Sequence, residues 1–275
     1  MEQADFVVGE ISPHVPQTFG DTFVHLSELD LIVEGREEPF EFPRWPVAPV
    51  FDEVAANVAS IVEDGDCLSF SIGPIYEAFA KHLRDKRQLG IHSPFFTDAV
   101  MELVESGAVT NRRKAVFRGK SLTSYALGTE TLSRWLDSNP LVEFQALDKV
   151  ASPLNIGRNP NIFNMLPARK VDLRGTIALH FGKGNVASSP GELMDLVNGA
   201  ELSSGGRNCF ALPSRNREGE SNFKLDVTLY PAEFNLREAV DMVATEWGVA
   251  YLRGRTIRER AQALIEIAHP DDRPE

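Results

Sequence analysis

The stretch Gly90-Ile91-His92-Ser93-Pro94-Phe95-Phe96-Thr97-Asp98 carries reactive side chains inside one short turn. It reads as a strand end, a sharp loop and a helix start. Open α/β sheets hold their ligands at such places. Ser93 could act as a nucleophile if a base reached its hydroxyl; otherwise a loop serine serves as a cap or a turn residue. His92 could be that base, or a satisfied structural histidine. Asp98 fits a helix cap. Glu77 falls in the first turn of another predicted helix, where the dipole stabilises a carboxylate whether or not it works as a base. Glu246 precedes Trp247-Gly248 at a strand end and could bind substrate or orient its loop. Arg253, Arg255, Arg258 and Arg260 crowd the start of the last predicted helix. They could meet phosphate groups, or form a solvated face with Glu259 and Glu266.

The elements that must position these residues can be read from periodicity. Residues 5–35 look like strand material, DFVVGEI and then TFVHLSELDLIVE, too little to bury two faces alone. The stretch GREEPFEFPRWPVAPV reads as a linker. From Phe51 the pattern alternates. Phe51, Val54, Ala55, Val58, Ile61 and Val62 share a helical face that Gly65 should end. CLSFSI reads as a buried strand, followed by a helix from about Ile75 to Leu83. LGIH is a short strand, and Thr97 or Asp98 can cap the helix after it, which should stop at Gly107. A helix spans about Thr129 to Asn139, and VEFQAL is the next strand. RKVDLRGTIALHF, NCFALP, KLDVTL and VDMVATEWGVAYL supply further strands around a helix near 190–202. Thr256 and Glu259 have capping-box spacing for the last helix. Alternation of this kind predicts an α/β domain with a largely parallel sheet. Its ligand loops would be SIGPI, HSPFF and NVASSPGE.

The chain has 275 residues, 43% of them hydrophobic, and a net charge of −12. An acidic chain without a basic stripe is a poor partner for nucleic acid or an anionic membrane. No apolar run approaches bilayer-spanning length, and MEQADFVVGE lacks a basic, apolar leader. Cys67 and Cys209 each fall inside a predicted strand, as buried hydrophobes rather than a disulfide or metal pair. These features predict a cytoplasmic protein without a metal site.

Several longer stretches carry a resemblance. GDTFVHLSELDLIVE, QLGIHSPFFTD, LVESGAVTN, NPLVEF and TEWGVAYLRGRTIRERAQALIEIAHPDDR resemble the acetyl-CoA hydrolase/transferase family, especially its 4-hydroxybutyrate CoA-transferases, from about Phe6 to Arg273. The resemblance implies an α/β, CoA-transferase-like (NagB/RpiA-like) open sheet, mostly parallel, with flanking helices. A partial sister domain would precede it. Residues 1–42 would be the terminal strands of a truncated first domain, 43–50 a linker and 51–275 the C-terminal domain. It further implies a glutamate that attacks an acyl-CoA thioester, with backbone N–H groups stabilising the oxyanion. The family loop resembles GIHTEMFSDG; here Pro94 stands where the glutamate would be. Glu77 replaces a family aspartate, whereas His92, Asp98 and Glu246 match family residues. The other two loops, carrying Ile72 and Gly73 and then Gly191, would supply oxyanion or CoA contacts, with Arg253 and Arg255 near the CoA phosphates. Each of the three loops has gained a proline, Pro74, Pro94 or Pro190, which removes a backbone donor.

The expected function is therefore a subunit of a heteromeric CoA-transferase-family enzyme. Coenzyme A would be part of its substrate, and a second subunit, encoded by an adjacent gene, would supply the missing front domain. Without the glutamate, it would act by non-covalent chemistry: hydrolysis, C–C cleavage or decarboxylation. The alternatives are a non-catalytic subunit that binds acyl-CoA or completes a partner, and true CoA transfer to a carboxylate.

Overall fold

The structure, a computed structural model, describes residues 3–181, 191–229 and 232–274. The first segment holds strands β1 (Val8–Ile11), β2 (Phe19–Gly20) and β3 (Leu31–Glu34). β1 and β3 pair in parallel. Their side chains remain open, with Val8, Ile11, Leu31, Ile32 and Val33 all 40–59% exposed.

From Pro49 helices and strands alternate. Helix α1 (Pro49–Ser60) opens with proline at its first turn, where the missing N–H costs nothing, and buries Val54, Ala55, Val58 and Ala59. It ends before the predicted stop; Gly65, at φ +94°, instead turns the chain toward the next strand. Strand β4 (Cys67–Ser69), helix α2 (Pro74–His82), strands β5 (Gly90–Ile91) and β6 (Phe95–Phe96) and helix α3 (Asp98–Glu105) follow. Next come β7 (Ser121–Thr123), β8 (Tyr125–Ala126), α4 (Glu130–Leu136), β9 (Val142–Phe144) and two short helices, α5 (Leu147–Val150) and α6 (Pro153–Arg158). Strand β10 (Ile162–Pro167) precedes β11 (Lys170–Asp172) and β12 (Ile177–Phe181). The rest of the chain forms α7 (Leu193–Leu202), β13 (Arg207–Ala211), β14 (Phe223–Lys224), β15 (Ala232–Leu236), β16 (Met242–Thr245), β17 (Gly248–Tyr251) and α8 (Ile257–Glu266).

The main sheet has the order β17-β16-β13-β10-β4-β5, parallel throughout except for the β16–β17 hairpin. A parallel bridge from His92 to Leu122 carries it on to the β7-β9-β2 sheet. β2 thus leaves its neighbours in sequence and joins the far edge, pairing with β9. Gly20 permits this: a Cβ there would lie 1.9 Å from the Phe144 carbonyl oxygen. A smaller sheet, β14-β11-β12-β15, shares a core with the main sheet through Val171 and Ile177.

Alternation along β10 shows how the sheet is filled. Phe163 and Met165 face a core with α1, α2 and α3, whereas Ile162 and Leu166 face a second core with α6, α7 and α8. Cys67 and Cys209 are free and buried. Burial pushes their thiols up to about 11 and about 12. Several predicted extents change: CLSFSI and VEFQAL shorten to three residues each, and VDMVATEWGVAYL is the antiparallel pair β16 and β17. RKVDLRGTIALHF is two antiparallel strands, since Gly175 at φ +86° turns the chain between them. KLDVTL contributes only the end of β14 and a 3₁₀ turn at Val227–Leu229.

Candidate functional site

The parallel strands deliver their following loops to one edge of the main sheet, the carboxyl edge. Ser93 locks two of these loops together. Its Oγ accepts the Phe70 N–H at 2.9 Å and lies 2.8 Å from the carbonyl oxygens of both Phe70 and Phe95, which share its proton. The residue is 0% exposed. A hydroxyl held this way is a bracket between backbones, not an attacking group. The His92 ring, on the opposite face of the strand, bonds the Val150 carbonyl at 2.8 Å and Asn159 Nδ2 at 2.9 Å. Burial beside Lys114 lowers its pKa to about 4, so it is neutral near pH 7. The structure does not join His92 and Ser93 as base and nucleophile.

Pro94 is buried. Its carbonyl accepts from Tyr125 N at 2.9 Å, Ser124 N at 3.2 Å and Thr123 Oγ1 at 3.0 Å. Phe95 and Tyr125 then meet ring to ring at 5.6 Å, and Phe96 stacks on Trp135 at 5.8 Å. Asp98 does not cap its own helix. Its carboxylate accepts from the N–H and hydroxyl of Thr129, fixing the start of α4 instead. The reason is geometric: Asp98 is already the first residue inside α3, and Thr97 occupies the cap position.

The loop after β4 leaves Ile72 37% exposed. Gly73 holds φ +124° at the N-cap of α2. A Cβ added there would meet nothing within 4 Å, so backbone freedom rather than space calls for glycine. Pro74 sits at the first helical position. It removes one outward donor there without breaking a helical bond. Glu77 is not a solvated helix residue: its Oε2 accepts from Arg44 Nε at 3.0 Å and Nη2 at 2.6 Å. Arg44, from the segment read as a linker, also reaches Glu102. Gly191, at φ +58°, lies just ahead of α7. The preceding residues of that loop, Pro190 included, lie outside the described residues.

Glu246 follows β16 at the carboxyl edge. Both its oxygens are used, by Ser214 Oγ at 2.5 Å and Ser214 N at 2.8 Å, so it orients the loop after β13. Arg253 and Arg255 are elsewhere. β17 runs antiparallel to β16, with Thr245 opposite Gly248 and Met242 opposite Tyr251. The chain therefore returns to the amino edge before reaching Arg253, which bonds Asp241 at 2.6 Å and Glu201 at 2.7 Å. Arg255 is exposed near it. The sheet thus separates these arginines from the loops with which the sequence reading grouped them. That reading also missed Ser214, Asn159, Lys114 and Arg44. Nothing local marks them, because their roles depend on partners distant in the chain.

Among the described residues, no His, Cys, Asp and Glu side chains gather in threes as metal ligands. No helix among them is long and apolar enough to cross a membrane.

Residues 128–275 match the sequence profile of the acetyl-CoA hydrolase/transferase C-terminal domain. The chain is 37% identical to the 4-hydroxybutyrate coenzyme A transferase of Clostridium kluyveri over 98% of its own length and 63% of that protein's. It is 36% identical to the succinyl-CoA:cyclohexane-1-carboxylate CoA transferase of Geobacter metallireducens, over 100% and 63% of the two chains. Among solved structures, the 4-hydroxybutyrate CoA-transferase of Porphyromonas gingivalis superposes with a TM-score of 0.87 at 33% identity, covering 99% of this chain and 65% of the other. The chain thus spans less than two thirds of the length of these relatives. On the profile match and these identities, the chain belongs to the acetyl-CoA hydrolase/transferase family.

Proposed function

We propose that this protein handles an acyl-CoA thioester at the carboxyl edge of its main sheet, in the reaction class of its relatives: CoA transfer to a carboxylate. Its relatives' names support that class. The loop at Pro94 takes no covalent part. The observation that carries this is the loop itself: buried, stitched to β8 through the Pro94 carbonyl, and bearing no carboxylate at its tip. Glu77 and Glu246, the acids nearest in the sequence reading, are held by Arg44 and Ser214. With no carboxylate at the tip of this loop to form a thioester, the acceptor acid attacks the acyl carbon directly. CoA leaves as thiolate, a mixed anhydride forms, and the thiolate reopens it on the acceptor side.

The same observation favours a second reading. Water in place of the acceptor would give hydrolysis, and a substrate carbon would give cleavage or decarboxylation. In either reading a further domain or a second polypeptide covers β1 and β3, whose exposed apolar side chains make an unfinished sheet.

The experiment co-purifies the chain with its native partner and supplies a panel of acyl-CoA esters with and without acceptor acids. A new acyl-CoA that appears only with an acceptor, and no CoA-bearing peptide, is the expected result. Free CoA without an acceptor supports the second reading. CoA mass on any carboxylate of this chain would overturn both. Binding without turnover would assign a regulatory or structural subunit, and a cooperative monomer in size-exclusion chromatography would remove the partner.

A further inference from the structure

The buried ring of His92 takes no part in that chemistry, yet it joins three segments of the fold. One ring nitrogen bonds the Val150 carbonyl at the end of α5, and the other bonds Asn159 just after α6. Asn159 has no freedom to turn. Its Oδ1 accepts the backbone N–H groups of Ala115 at 2.9 Å and Val116 at 3.1 Å. Its amide nitrogen must therefore face His92 Nδ1, which must offer a lone pair. The proton of the neutral ring is then on Nε2, where the Val150 carbonyl accepts it. Neighbouring bonds thus fix one tautomer of one charge state. The Asn159 backbone carbonyl also accepts Ser203 Oγ at 2.6 Å, which extends the joint to the end of α7.

A second proton, on Nδ1, would point at the Asn159 N–H. The amide could turn to meet it only by giving up Ala115 and Val116. The surroundings offer the cation no help. Lys114 is 3% exposed, beside the ring, and its Nζ donates to the Ile91 and Lys120 carbonyls. Cys67, next to Lys114, has its thiol pushed up by burial. Asp148 and Lys149 on α5 and Arg158 on α6 are exposed, and Lys120 bonds Glu143.

We infer that His92 is an acid-released latch: its neutral ring ties the loop bearing Ser93 and Pro94 to α5, α6 and residues 115–116, and protonation unties them. Because His92 precedes the Ser93 bracket, release loosens the carboxyl-edge loops first. The sign follows from the lowered pKa. A group that binds its proton less readily in the closed state holds the latch fully above the ordinary histidine value, and its hold weakens as pH falls toward the closed-state value. The latch rests on the ring's bonds alone and does not depend on which CoA reaction the protein performs.

Amide hydrogen exchange on the full chain between pH 7.5 and 4.5, corrected for intrinsic rates, tests it. Protection at Ser93, Phe95, Ala115 and Val116 should fall about tenfold per pH unit below about 6.5, toward a limit of about 300-fold at the closed-state value near 4. Amides of β13 and β16 should not follow that slope. In His92→Gln the pH slope should vanish. If that variant fails to fold, ring ¹⁵N shifts of the native protein answer the same question: His92 should stay neutral, with its proton on Nε2, down to about pH 4. A ring that titrates near 6.5 with protection unchanged, or a slope that survives in His92→Gln, would overturn the latch.

Discussion

The two edges of the main sheet are built from different interactions. At the amino edge, charges are paired. Asp66, 1% exposed, meets Arg207 at 2.5 Å, and Asp241, 5% exposed, meets Arg253 at 2.6 Å. Burial pushes both carboxyls up despite the arginines, so these pairs hold their charges under strain from desolvation. At the carboxyl edge, Arg44–Glu77 and Arg215–Asp272 are paired too, but the loops are also tied by bonds between side chain and backbone: Ser93 to Phe70 and Phe95, the Thr123 hydroxyl to Pro94, Ser214 through its own N–H to Glu246. One edge fixes the ends of strands, whose position never needs to change. The other fixes loops while leaving their outer surface, Ile72 and Tyr125 among it, open. The division matches the rule that open α/β sheets bind ligands beyond the carboxyl ends of their strands.

The sharpest way to break this comparison is at the amino edge. Asp66→Ala leaves Arg207 partly buried over the Phe163 ring, 5.1 Å away, without its main counter-charge. Removing one partner of such a pair costs about 3 kcal/mol, read by chemical denaturation, with no change in loop exchange at the carboxyl edge. A loss below about 0.5 kcal/mol, the range of an exposed pair, would place this edge among ordinary surface contacts.

Pro94→Glu should cost about 2 kcal/mol or more, because it puts a carboxylate where the native side chain is buried. It should not create a glutamyl-CoA thioester. Thermal unfolding gives the first number, and borohydride reduction after incubation with acetyl-CoA, followed by mass spectrometry, gives the second. Efficient labelling at position 94 would show that the loop still presents its tip to an acyl-CoA.

Much of the fold was legible because periodicity reports burial. The α1 face, the buried β4 and the capping box of α8 follow from local spacing, whereas VDMVATEWGVAYL, read as strand, is the antiparallel pair β16 and β17. β10 was not read, although it lies at the centre of the sheet. Its run Ile162–Pro167 is interrupted by Asn164, whose amide is satisfied only by Ser69, Leu196 and Asn208, far away in sequence. β2 is two residues long, falls between DFVVGEI and TFVHLSELDLIVE, and has its partner β9 more than 120 positions later, so no local pattern marks it. The candidate site was less legible. The loops after β4 and β5 lie at the carboxyl edge because they follow parallel strands, while most of NVASSPGE lies outside the described residues. The partners that decide what each side chain does, Arg44 for Glu77 and Asn159 for His92, carry no local signal. The edge on which Arg253 lies was not legible, because the β16–β17 hairpin reverses direction and adjacency in sequence to Glu246 says nothing about which edge the chain has returned to.

Glu246→Gln keeps the shape of the side chain and removes its charge. The amide keeps one acceptor, so the Ser214 N–H bond loses its charge-assisted strength and the bond with Ser214 Oγ reverses, the amide N–H donating to it, at about 1 kcal/mol together. If Glu246 orients the loop rather than binding substrate, the change should appear as faster exchange at Ser214 and neighbouring amides, with CoA affinity nearly intact. An affinity loss beyond tenfold with unchanged exchange would make Glu246 a ligand contact.

The smallest effect is also the most discriminating. Arg255 stands at the amino edge, exposed, one strand length from Glu246. A phosphate contact typically contributes through a charge-assisted bond, and its loss lowers affinity several-fold or more. A surface arginine on the opposite edge contributes nothing to binding, and its removal changes stability within about 0.5 kcal/mol. Arg255→Ala should therefore change the CoA dissociation constant by less than about twofold, a difference worth roughly 0.4 kcal/mol. Calorimetry on the co-purified complex at two salt concentrations makes the measurement specific. A direct phosphate contact would show a weaker salt dependence once the arginine is gone, whereas a distant charge shifts both values together. A loss of tenfold or more, with a reduced salt dependence, would mean that CoA crosses from one edge of the sheet to the other, and the division between the two edges would fall.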